Sequence, residues 1–132
     1  MIKGVAHVAM ASADPHKLAD WYISNLDFTL FSRSETAVFI QAPNDVLFEI
    51  ILADKQLQLP GMKDAGLRHI AIAVDDFEEA YLRLKNSGVS FESEPYKASG
   101  NTVVFFKDPD GNFLHLIYPL PPLFGKRSVI AA

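Results

Sequence analysis

The sequence predicts an α+β fold built from two copies of one module, each running strand, helix and then three strands. Three observations predict it. Short apolar runs of strand length recur along the whole chain. Two stretches with apolar residues at helical spacing follow the first and the fifth of those runs. Chemically distinctive residues also recur at a nearly constant offset. His7 and His69 are 62 residues apart, while Phe39 and Phe105, Pro43 and Pro109, and Glu49 and His115 are each 66 apart. Chance gives one such match; four in chain order mark a duplication.

The elements follow in order. Val5-Ala6-His7-Val8-Ala9-Met10 reads as the first strand. Asp14 caps a helix and Pro15 suits its first turn. Leu18, Trp21, Tyr22 and Leu26 give that helix one buried face, and Asn25 to Phe28 ends it at residues that tolerate a left-handed stop. Strands are expected at 28–31, 37–40 and 46–51, with a Pro43-Asn44-Asp45 turn between the last two. Residues 54–66 are polar around Pro60-Gly61 and read as a linker between module one (1–53) and module two (67–118). The pattern then restarts with a strand at 67–74. A helix capped by Asp75-Asp76 follows, with Phe77, Ala80, Tyr81 and Leu84 on its apolar face and Gly88 as its stop. Strands are expected at 89–91, 102–106 and 113–118, the last two joined by the turn Asp108-Pro109-Asp110-Gly111-Asn112. Residues 119–132 form a tail whose apolar end is expected to pack on a partner subunit or stay disordered.

Composition bounds the function. At 132 residues the two modules make one domain spanning 1–132, and neither alone is large enough for a comfortable core. Apolar residues at 49% and charged residues at 21% are ordinary for a globular chain. A net charge of −4, with Lys126-Arg127 as the basic pair, argues against a nucleic-acid partner. No apolar run has the length of a membrane span, and the start lacks the pattern of a secretory signal, so the cytoplasm is the expected location. The absence of cysteine excludes disulfides, thiolate nucleophiles and zinc–cysteine sites.

Nitrogen-ligated chemistry therefore rests on four histidines. Side chains alternate across a strand, which puts His7, Glu49, His69 and His115 each mid-strand among apolar neighbours. The opposite faces, with Phe48 and Ile50, Ile70 and Ile72, and Leu114 and Leu116, are wholly apolar and suit packing under the helices. A carboxylate buried there unpaired costs several kcal/mol or takes up a proton. Three imidazoles and one carboxylate converging on a divalent cation (Fe, Mn, Ni, Co or Zn) would satisfy all four.

The stretches Gly4-Val5-Ala6-His7-Val8-Ala9, Trp21-Tyr22-Ile23-Ser24-Asn25-Leu26-Asp27-Phe28, Arg68-His69-Ile70-Ala71-Ile72-Ala73-Val74-Asp75 and 105–116 together resemble the vicinal oxygen chelate superfamily. That group holds the glyoxalases, the bleomycin and fosfomycin resistance proteins and the extradiol dioxygenases. Each stretch is degenerate alone; their order and spacing are specific. The resemblance implies paired βαβββ modules forming a cupped mixed sheet around a central site, with helices on the outer face. It also implies a homodimer. The family's ligand positions, on the first and last strand of each module, fall on His7, Glu49, His69 and His115. His115 departs from the pattern, since most metal-binding members carry Glu there. Glu49 and His115 are the expected catalytic pair, Glu49 as general base from the other module.

The expected function is a metal-dependent lyase, isomerase or dioxygenase acting on a small oxygenated substrate. The alternative is a metal-free protein that sequesters a drug or other small molecule. Phe39, Phe105 and Phe113 are expected to stack a substrate or to fill the cup. Simpler roles are expected elsewhere: a solvated surface group at His16, helix-dipole pairing for Asp75 to Glu79, core packing for Trp21 and Tyr22, and a plain turn at 108–112.

Overall fold

A computed structural model describes residues 1–119. The expected tail lies almost wholly outside the described residues. Two units form, each a four-stranded mixed sheet carrying one helix, which is the βαβββ module written twice.

The first unit comprises Met1–Leu59 together with Asp108–Asp110. It contains β1 (His7–Ser12), α1 (Pro15–Leu26), β2 (Thr29–Arg33), β3 (Ala37–Gln41) and β4 (Leu47–Leu52). Its strand order is β1-β4-β3-β2, with β1 parallel to β4 and the other pairs antiparallel. Local chemistry sets the helix ends. The Asp14 carboxylate accepts from the Lys17 N–H at 3.1 Å, Pro15 occupies the first turn, and Asp27 closes the helix at φ 59°. Leu18, Ala19 and Tyr22 on α1 are buried, as are Val38, Ile40, Phe48 and Ile50 on the strands that α1 packs against. Removing these side chains from water is the main stabilising term for the unit.

The second unit holds β5 (His69–Ala73), α2 (Phe77–Asn86), β6 (Tyr96–Ala98), β7 (Asn101–Lys107) and β8 (Phe113–Tyr118). Its order is β5-β8-β7-β6, the same arrangement with β5 parallel to β8. Asp76 caps α2 by accepting from the Glu79 N–H at 3.0 Å, and Gly88 follows the helix at φ 93°. Tyr81 and Leu84 of α2 are buried, and so are Val104, Phe106, Leu114 and Leu116 of the sheet. Among the described residues no helix is long and apolar enough to cross a membrane.

One strand is misplaced by the sequence reading. Residues 89–91 form no strand: Phe91 makes a single bridge to Phe106, and its ring packs 4.6 Å from Tyr81. Side-chain packing, not a ladder, holds that segment. The second strand of module two is instead β6, paired with β7 through a two-residue turn at Ser99-Gly100, both at positive φ.

Candidate metal-ligand pairs

The two ladders place the candidate ligands equivalently. In the first unit Glu49 pairs with Ala9 of β1 and with Phe39 of β3. In the second, His115 pairs with Ala71 of β5 and with Phe105 of β7. Glu49 and His115 thus each sit opposite the residue two beyond the first-strand histidine, and opposite a phenylalanine. The duplicated spacing becomes a duplicated geometry.

His7 and Glu49 meet in the first unit, with Nε2 3.3 Å from Oε1. Both remain accessible, with side-chain exposures of 39% and 24%. The separation bears on metal binding. Two donors about 2.1 Å from a shared ion lie about 3.0 Å apart at a right angle and about 3.4 Å apart at a tetrahedral angle. The His7–Glu49 distance falls within that span, so the pair is spaced as adjacent ligands of one cation.

His69 and His115 meet in the second unit, with ring centroids 4.8 Å apart and planes at 72°. His115 is buried and His69 exposed. The Nδ1 atom of His115 lies 3.2 Å from the Leu116 carbonyl oxygen. A carbonyl only accepts, so Nδ1 carries the proton and Nε2 keeps its lone pair in the neutral ring. Burial, the largest cause, and the neighbouring His69 lower the His115 pKa below the ordinary imidazole value, while the Leu116 bond opposes them. A neutral ring with a fixed tautomer is the form that binds a metal.

The structure therefore brings the four predicted ligands together as two pairs. Among the described residues no group of three or more His, Asp or Glu side chains is gathered closely enough to hold a metal ion. The aromatic candidates touch the ligands. Phe39 contacts His7, and Phe105 contacts both His69 and His115. Phe113 pairs with His69 along the ladder, and its ring carries the Lys107 ammonium at 5.0 Å.

Two simpler expectations change. His16 is not merely solvated, since its Nε2 donates to the Ser34 carbonyl at 3.1 Å. Residues 108–112 are more than a turn. Asp108 is 4% exposed, and its carboxylate accepts from the Tyr22 hydroxyl at 2.7 Å and from the Asp110 N–H at 3.0 Å. Burial first, and then the Asp108 charge, push the Tyr22 phenol well above its ordinary value, so it stays a donor. Only a polar group at position 108 hinted at this contact in the sequence. Its module-one equivalent, 66 residues earlier, is Ala42.

A βαβββ module repeated twice, with a ligand-capable pair on the first and last strand of each copy, points to one superfamily of paired-module proteins. The chain belongs to the Glyoxalase/Bleomycin resistance protein/Dioxygenase superfamily, whose family model matches residues 4–116. It is similar to the biphenyl-2,3-diol 1,2-dioxygenase 2 of Rhodococcus globerulus, at 28% identity over 115 residues, covering 84% of this chain. The chain spans only 60% of that enzyme's length. It is also similar to the glutathione transferase FosA of Serratia marcescens, at 26% identity over 118 residues, covering 88% of this chain and 81% of the relative. Among solved structures, a glyoxalase family protein from Enterococcus faecalis matches with a TM-score of 0.73 at 25% identity, covering 87% of this chain and 97% of the other.

Proposed function

We propose that the protein is a metal-dependent enzyme acting on a small oxygenated organic substrate, with His7, Glu49, His69 and His115 as ligands of one divalent cation. The observation that carries this reading is the 3.3 Å spacing of His7 Nε2 and Glu49 Oε1, which suits adjacent ligands of a single ion. The donor set, three imidazoles and a carboxylate, fits Mn, Fe, Co, Ni or Zn. When bound, such an ion polarises a chelating oxygen and stabilises negative charge developing on it.

The chain's own residues do the rest. Glu49 is the general base: its accessible carboxylate takes a proton from the bound substrate and returns it after rearrangement. His115 is held neutral by burial, and its Nδ1 bond to Leu116 keeps Nε2 directed as an acceptor. The apolar side chains beside the pairs favour a small, partly apolar substrate. The relatives are named for dioxygenase and glutathione-transferase chemistry. The protein acts as a homodimer in this reading, with the two modules cooperating within one chain or across two.

Elemental analysis of tag-free protein beside a His69→Ala variant tests the proposal. Near-stoichiometric metal, lost in the variant, is expected; Fe or Mn points to oxygen chemistry, and Ni, Co or Zn to lyase or isomerase chemistry. A wild-type protein that carries no metal and takes none up on titration would replace this reading with a metal-free small-molecule binder.

A further inference from the structure

Phe39 and Phe105 occupy the same ladder position in their two sheets, opposite Glu49 and His115. In the first unit Phe39 meets His7 edge to face, with centroids 5.4 Å apart and planes at 86°. In the second, Phe105 meets His69 at 5.2 Å and 87°. Two modules that differ in most of their residues reproduce one ring geometry. Phe105 also lies nearly flat on His115, at 4.8 Å and 29°. The three rings of the second unit therefore close a triangle whose sides run from 4.8 to 5.2 Å.

His7 and His69 are exposed and stand on strands with one ladder partner each among the described residues. An exposed imidazole at a sheet edge has more than one staggered rotamer open to it. An edge-to-face ring contact favours one of them, because the positive edge of one ring meets the negative face of the other. One face of Phe105 is already covered by His115, which leaves that face unavailable to a planar substrate.

We infer that Phe39 and Phe105 are positioning residues: the Phe39 ring sets the orientation of His7, and the Phe105 ring sets those of His69 and His115 rather than serving as a substrate platform. The consequence for metal binding rests on the proposed function; the ordering of the imidazoles does not. The two are tested separately on Phe39→Leu and Phe105→Leu. Carbon-13 relaxation of the imidazoles in chelator-treated protein reads the ordering. Phe105→Leu is expected to lower the order parameters of His69 and His115 and to leave His7 and His16 unchanged. Phe39→Leu is expected to act on His7 alone, so either variant suffices if the other fails to fold. Mn(II) titration reads the consequence. An affinity about tenfold weaker is expected for Phe39→Leu and Phe105→Leu, the lower end of what an outer-shell change costs. Imidazoles as ordered in both variants as in the wild type would overturn the inference. Loss of ordering in a protein that binds no Mn(II) would sink the metal reading and leave the positioning role standing.

Discussion

His115 shows how burial fixes the protonation state of a single residue. It is 7% exposed, carries its proton on Nδ1 and resists a second proton because burial penalises the charged ring. Its folded pKa is depressed, so the stability it contributes is complete above the unfolded imidazole value, about 6.5, and is lost as pH falls through the folded value. The unfolded chain takes up a proton first, and acid therefore favours unfolding. In chelator-treated protein, urea midpoints between pH 7.5 and 5 should fall more steeply for the wild type than for His115→Gln. Parallel profiles would show that the buried ring is not the source of the slope. Glu49 differs in kind: it stands at the equivalent place with an accessible carboxylate, so the same ladder position holds a buried imidazole in one module and an accessible acid in the other.

The elements carry a second asymmetry. Tyr22 on α1 is fully buried and donates to Asp108, in the stretch after β7 that groups with the first unit. The corresponding helix position in module two, 62 residues on, is Leu84, also buried and wholly apolar. A hydrogen bond to a buried carboxylate contributes about 1.5–3 kcal/mol. Tyr22→Phe keeps the ring packing with Phe28 and Phe48 and removes only that bond, so it should lower unfolding stability by about that amount in chemical denaturation. A loss below about 0.5 kcal/mol, the floor for an ordinary hydrogen bond, would mean that the bond does not hold the turn. The elements themselves were unequally legible. Asp14, Pro15, Asp27, Asp76 and Gly88 act within a few residues of themselves, so both helices could be read locally. The strand β6 could not, because Tyr96, Lys97 and Ala98 are all exposed and leave no alternation to read. Its signal was the Ser99-Gly100 turn. The Tyr22–Asp108 bond joins residues 86 positions apart, and no local pattern encodes it.

At the scale of the molecule the duplication explains both the fold and the site. Two copies of one module give two sheets of the same order, and each sheet brings one first-strand histidine to one last-strand ligand. The positions were legible because strand alternation and a repeated spacing agree on them. Their partition into pairs was not, because spacing along the chain says which residues share a face and nothing about how closely their side chains approach. The central claim is that both pairs serve one cation. A double-mutant cycle on Mn(II) affinity, comparing wild type, His7→Ala, His69→Ala and the double variant, tests it most directly. One shared ion predicts that each single variant weakens binding and that the two effects fail to add, with a coupling of at least about 0.5 kcal/mol. Additive effects, or two ions bound per chain and each lost with one histidine, would contradict it.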